Sequence, residues 1–278
     1  MNLLKNTRIG ARLLTAFLSL TAILIVTGWI GLRGVNIIHH DMAEIFETRM
    51  PSLDLLLQVD RDLHQLLVAE RSMIFADRGE KVFEDLIKEY ELNFKQAGDR
   101  WAKYKALPLT PEEKALFPKY EANLAEWRTV SLRIVEARKA DTREGRRLAL
   151  DLSLTEARAK FETMREVINQ LTDINNATAN AADKSADEAF QQARTSIIAF
   201  TAAGFLVALL LTVQITRSIT RPLGKCVDFS EKVTKGDLDT PLDVEQRDES
   251  GILAAALRSM VGNLKIKIGE ANDRQREA

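Results

Sequence analysis

Arg61, His64 and Arg71 stand at a spacing that could do chemistry together. With Leu57, Val68 and Phe75 they recur every three to four residues, so a helix would place all of them on one face. A guanidinium is a planar fork that grips a carboxylate through two parallel hydrogen bonds, and that face therefore reads as an anion clamp. Arg133 and Arg147, on later segments expected to reach a similar depth, extend the set. The competing reading pairs these arginines with Asp62, Glu70, Glu136 or Asp151 on a wetted surface, where an ion pair contributes little.

Other chemistry finds no footing. The histidines, His39, His40 and His64, lie on one segment without spaced carboxylate or cysteine partners. No glycine-rich phosphate loop is present, and no strand for one to follow. The single cysteine, Cys226, can form neither an intrachain disulfide nor a thiolate metal cluster. Catalytic residues, metal ligands and cofactors are therefore all read as none, and the chain as not an enzyme. Its 39 basic residues are offset by 40 acidic ones for a net charge of −1, which argues against nucleic acid as a partner.

The elements that must position the arginines are helical. Of the 278 residues 28% are charged and only 6% aromatic, with 13 Gly and 6 Pro, a composition of long helices and an all-α fold. Between Arg12 and Arg33 runs the uncharged "LLTAFLSLTAILIVTGWIGL", about 30 Å as a helix and so long enough to cross a bilayer. A cleaved secretory signal is the competing reading, but its apolar core would be shorter and an A-x-A-like site would follow. Thr195–Thr216 is a second run of the same kind. Lys5, Arg8 and Arg12 precede the first run, and Arg217, Arg221 and Lys225 follow the second, whereas acids outnumber bases in between. By the positive-inside rule both termini are cytoplasmic. The expected layout is a 1–12 cytoplasmic terminus, a 13–33 span, a 34–194 outer domain and a 195–216 span, followed by cytoplasmic segments 217–268 and 269–278.

Within 34–194, turn signals at Ala76–Lys81, Leu107–Lys114 and Lys139–Gly145 divide the chain into helices near 35–77, 79–106, 111–139 and 142–194. Thr110, Pro111 and Glu113 form a capping box for the third. Short loops between antiparallel helices give an up-down-up-down bundle. Leu53, Leu56, Asp60, Leu63, Leu67, Glu70 and Ile74 make one stripe of the first helix, with a second beside it, so this helix must bury more than one face.

Beyond the second span, Leu223, Cys226 and Val233 begin an apolar seam that stops at Gly236; Met260 and Leu264 belong to another. Two such short helices need a second copy to cover them, which predicts a parallel homodimer with Cys226 facing its symmetry mate.

These residues carry a family resemblance. Pro222 after the span, Gly236-Asp237-Leu238 after the first short helix, and Asp248-Glu249-Ser250-Gly251 opening the second resemble the HAMP linker of bacterial transmembrane receptors. The resemblance implies that Glu249 contacts the backbone near Pro222, and that Pro222, Gly236, Asp237, Leu238, Asp248, Glu249 and Gly251 form the signal relay. From "NTRIGARLL" onwards the chain is similar to the N-terminal part of a methyl-accepting chemotaxis protein with a four-helix-bundle sensor; the sensor half of a histidine kinase shares the same order. An adhesion protein is a third reading, but it has no use for a cytoplasmic relay. The resemblance implies an inner-membrane, multi-pass protein with a periplasmic sensor. It also implies as ligand an amino acid or carboxylate, or a periplasmic binding protein. In the whole receptor it further implies a chemotaxis histidine kinase and its coupling protein.

Overall fold

Two prolines set the course of the longest helices. The computed structural model describes residues 7–276; Lys5 and Asn6 of the N-terminal flank and the last two residues of the 269–278 segment lie outside it. Helix α1 (Ile9–Ala43) passes through a π-helical turn, Glu44–Arg49, into α2 (Met50–Phe75). Helices α3 (Lys81–Lys105), α4 (Pro111–Lys139), α5 (Arg143–Leu154) and α6 (Glu156–Ile215) follow. A second π-helical turn, Thr216–Thr220, leads into α7 (Arg221–Thr234), and α8 (Glu249–Arg276) ends the described chain. Each π turn ends two residues before a proline, Pro51 or Pro222. Proline has no N–H and its ring collides with the carbonyl four residues back, so the preceding turn widens. Accordingly the Met50 amide donates to Ile45 O and the Arg221 amide to Thr216 O, each five residues back.

Val35–Gln191 forms one compact unit, and the segments before and after it form the other. The first is the four-helix bundle. Its core runs from Leu56 and Val59 through Trp127 and Ile134 to Ile168 and Leu171. Aromatic rings fill one stretch, with Trp101 5.3 Å from Tyr104, 5.2 Å from Phe117 and 4.2 Å from Tyr120 between centroids. Further along the core Trp127 is fully enclosed against Phe161, its indole N–H without an acceptor. The capping box forms as read: the Glu113 amide donates to Thr110 Oγ1 at 3.2 Å, and the Thr110 amide to Glu113 Oε2 at 2.8 Å. Arg138, fully buried, closes the end of α2 by donating to the Met73 and Ala76 carbonyls, both at 2.8 Å.

The fourth helix differs from the expectation of one element over 142–194. Thr155 interrupts it at φ −113°, ψ −89°, leaving α5 as a separate piece. Its hydroxyl donates to Asp151 O at 2.7 Å, the back-bonding by which threonine bends a helix.

In the other unit, α1 and α6 each carry a stretch long and apolar enough to cross a membrane, and Leu14, Phe17, Leu24, Phe205 and Leu210 face outward as lipid contact requires. Trp29 is exposed on α1, with the Arg33 guanidinium 5.7 Å from its ring. Helices α7 and α8 run side by side in the same direction around Cys226, Phe229, Ala254 and Val261, closed over by Leu242 and Val244 of the returning connector. Arg258 holds that connector by donating to the Leu242 and Val244 carbonyls at 3.0 and 3.2 Å.

Candidate functional site

The arginine face of α2 forms, but its members have different fates. Arg61 donates from Nε and Nη2 to Asp62 Oδ1 at 3.2 and 3.0 Å, and the buried Asp62 is gripped from its other side by Arg100. His64 is not without a carboxylate, as the sequence reading held. Its Nδ1 lies 2.8 Å from the Asp60 carbonyl and 3.5 Å from Asp60 Oδ1, and its ring meets Phe161 edge-on. Asp60 is itself taken by Arg165, at 2.9 and 3.3 Å. Arg133 pairs with Glu156 at 3.4 Å on the surface, and Arg147 is exposed on α5. Along the helix Arg61 and Arg71 are about 15 Å apart, too far to hold one small anion together. The spacing that put them on one face also separated them by several turns, so the clamp does not assemble as a set.

Arg71 stands apart. It is half-buried, and its Nε is enclosed without a hydrogen-bond acceptor. A buried guanidinium N–H without a partner is costly, and an incoming carboxylate would satisfy it. Exposed Val68 and Phe75 border it on the same face.

Two polar nodes inside the bundle were not singled out from the sequence. In the first, fully buried Glu70 accepts hydrogen bonds from Ser131 and, at 3.3 Å, from Ser153, while Tyr90 lies 2.9 Å from Ser131. Helices α2, α3, α4 and α5 each contribute one residue. Burial pushes the Glu70 carboxyl above its ordinary range, against the two hydroxyls and the nearby Arg71, which pull it down. The second node is Arg49. Its Nε donates to Glu44 at 2.9 Å, and its Nη1 to Glu113 at 2.9 Å and Asn175 at 3.1 Å. Tyr104 adds a bond to Glu113 at 3.0 Å. The hint for Glu70 was present: an acid at three-to-four spacing with Leu63, Leu67 and Ile74 must go inside with them. Nothing near Arg49 in the sequence points to Glu113.

The relay residues occupy the α7–α8 pair. Gly236 has φ +88°, a left-handed conformation that glycine alone adopts without cost, and it reverses the chain after α7. Asp237 holds the turn by accepting from the Asp239 and Thr240 amides at 3.1 and 3.2 Å and from the Thr240 hydroxyl at 2.6 Å. That hydroxyl, first among several donors, keeps the Asp237 carboxyl below its usual range. Leu238 packs on the core of that pair, and Pro222 is buried. Asp248 caps α8 by accepting from the Ser250 and Gly251 amides, both at 3.1 Å. A side chain at Gly251 would strike the Gln246 carbonyl.

Two expectations are corrected. Glu249 does not reach the backbone beside Pro222; its Oε2 accepts from the Ile9 amide at 2.8 Å, because the start of α1 offers unpaired N–H groups there. Cys226 does not present itself to a partner copy: it is 2% exposed, enclosed by Leu242, Val244 and α8 of its own chain. Burial raises its thiol. Of the other seam residues Leu223, Met260 and Leu264 are exposed, and Val233 is half-buried.

A helical bundle joined in one chain to two helices long and apolar enough to cross a membrane, and to a compact pair of further helices, has the architecture of a sensory module. Residues 6–190 match the family described as the four-helix-bundle sensory module for signal transduction, and the chain belongs to that family. Residues 215–265 match the HAMP domain. Over 260 residues the chain is 25% identical to YvaQ of Bacillus subtilis (strain 168), described as a sensory transducer protein. That alignment covers 92% of this chain and 45% of YvaQ, so the chain spans about half of that relative's length. It is 37% identical over 87 residues to the methyl-accepting chemotaxis protein McpQ of Pseudomonas putida, covering 31% of this chain and 14% of McpQ. It is 38% identical over 82 residues to McpS of the same organism, covering 30% and 13%. The family is a sensory and signalling module, not an enzyme class.

Proposed function

We propose that the chain is the sensing and relay portion of a methyl-accepting chemotaxis receptor. In this reading residues 34–194 face the periplasm, and the spans 13–33 and 195–216 cross the inner membrane. Residues 217–268 convert ligand binding into a cytoplasmic signal for a chemotaxis histidine kinase and its coupling protein. The receptor acts as a parallel homodimer. The observation that carries this reading is α6: one uninterrupted helix from Glu156 to Ile215 supplies both core residues of the bundle and the second span, and it leads into the HAMP helix pair. A shift of that helix would enter α7 through the π-helical turn Thr216–Thr220.

The ligand is a small anion, an amino acid or another carboxylate, held at Arg71. What supports Arg71 over Arg61 and Arg133 is that its buried Nε has no acceptor, while Arg61 is engaged by Asp62 and Arg133 by Glu156. Calorimetry with a panel of amino acids and dicarboxylates tests this. Arg71→Ala should weaken the ligand that binds by about 1.5–3 kcal/mol, the scale of a charge-assisted hydrogen bond. Arg71→Lys should recover only part, since an ammonium lacks the planar fork. Arg61→Ala should leave affinity unchanged. An Arg71→Ala chain that binds the same ligand equally well removes the site.

A further inference from the structure

The first membrane span takes a direct hold on the junction where the second span enters α7, and we propose that this hold, centred on Arg12, sets the resting state of the relay. The inference starts from Pro222. Because proline has no N–H, the carbonyl of Ser218, four residues earlier, loses its helical donor. In the structure two side chains turn to that oxygen: Arg12 Nη1 and Gln246 Nε2, each at 3.4 Å. Arg12 comes from the start of α1, some 200 residues away in sequence. With Nη2 it donates to Asp248 Oδ2 and to the Thr7 carbonyl, both at 2.6 Å, and the Arg12 and Asp248 side chains are buried. Asp248 is also the residue whose second oxygen caps α8. One guanidinium thus ties together the first span, the proline-freed carbonyl below the second span, and the first turn of α8.

A second tie runs beside it. The Glu249 carboxylate accepts from the Ile9 amide at 2.8 Å, placing a negative charge at the N-terminus of α1, where the helix dipole favours one. That bond, first among its interactions, lowers the Glu249 carboxyl from its ordinary value. The junction also keeps unused capacity. Ser218 Oγ, Gln246 Oε1 and Ser250 Oγ are buried without hydrogen-bond partners in this arrangement. Buried polar groups left unpaired make a second arrangement of the same residues accessible. Arg12 is a positioning residue: it holds α8 in one of two packings against α7, and displacement of either span releases it.

Cys226, the only thiol and enclosed between α7 and α8, reports the packing directly. The experiment uses the full chain in lipid nanodiscs and reads two quantities. These are the rate at which a thiol reagent modifies Cys226, and amide exchange at residues 250–252. Arg12→Gln and Asp248→Asn each remove the ion pair, and Asp248→Asn keeps the oxygen that caps α8. Each should raise the Cys226 reaction rate and the exchange rate at least tenfold. The double variant should go no further than the stronger single one, because both remove the same interaction. Arg12→Lys keeps the flanking charge and the pair with Asp248 but cannot also reach Ser218, and should give an intermediate rate. Should Arg12→Gln fail to insert, Arg12→Lys and Asp248→Asn carry the comparison. Rates within twofold of the parent in Asp248→Asn, or effects that add fully in the double variant, overturn the proposal.

Discussion

Glu70 and Glu113 are the same residue type, both fully enclosed in one bundle, and their acidities move in opposite directions. Burial pushes each carboxyl up. At Glu113 this is outweighed by the Thr110 amide and hydroxyl and by the Arg49 guanidinium, and the group ends below its ordinary value. Glu70 has only two hydroxyls and no direct cation, so burial wins. Depth alone does not fix the charge of a buried acid; the donors within reach do. One node is a buried ion pair that ties the π turn before α2 to the first turn of α4, with Asn175 of α6 bonded to the same arginine. The other is a carboxyl that burial holds above its ordinary range.

Four measurements on residues 34–194 break or sharpen that contrast. The largest effect should come from Arg49→Ala, which strands Glu113 as a buried anion. Thermal or denaturant unfolding should show a loss of about 3–5 kcal/mol, the range for removing one partner of a buried pair. Ser131→Ala at the other node deprives Glu70 and Tyr90 of a shared partner and should cost about 1–3 kcal/mol at pH 5.

Next comes pH. Glu70 titrates higher folded than unfolded, so its contribution is complete below about pH 4.3 and declines as pH rises through the folded value. Glu113 is lowered, so its contribution is present above that pH and lost on acidification. Glu70→Gln should therefore flatten the decline on the alkaline side and leave the acid limb intact. Equal stability curves for parent and Glu70→Gln from pH 4 to 9 would show that burial does not raise the Glu70 carboxyl, and the contrast would fall. Arg133→Ala sets the floor. Its exposed pair with Glu156 should be worth less than about 1 kcal/mol and should vanish in high salt.

The sequence disclosed what depends on neighbours along the chain. The Thr110–Glu113 capping box, the two apolar runs, the glycine turn at Gly236 and the cap at Asp248 are all local patterns, and each has a local cause. Contacts between distant residues were hidden. Arg49 and Glu113 meet only because the π turn before α2 and the first turn of α4 pack together, and Arg12 read merely as one more cation flanking a span. Cys226 shows the intermediate case. Its place on an apolar seam was legible, but the connector residues Leu242 and Val244 that enclose it carry no periodic signal. Thr155 misled for a different reason: helical residues flank it on both sides, and only its backbone, at φ −113° and ψ −89°, shows the break.

The scattering of the indoles through this fold has an optical consequence. Trp127 is sealed among apolar side chains with nothing to accept its N–H, so its fluorescence should peak at short wavelength and resist aqueous quenchers. Trp101 hands its N–H to Glu121 at 3.0 Å, and that carboxylate is half-exposed and held low by Lys105 and by the indole itself. Its emission should lie further to the red. Trp29, outside the bundle, answers to lipid-borne quenchers instead. Three colours from three places let binding, bundle packing and membrane depth be followed in the same unlabelled sample.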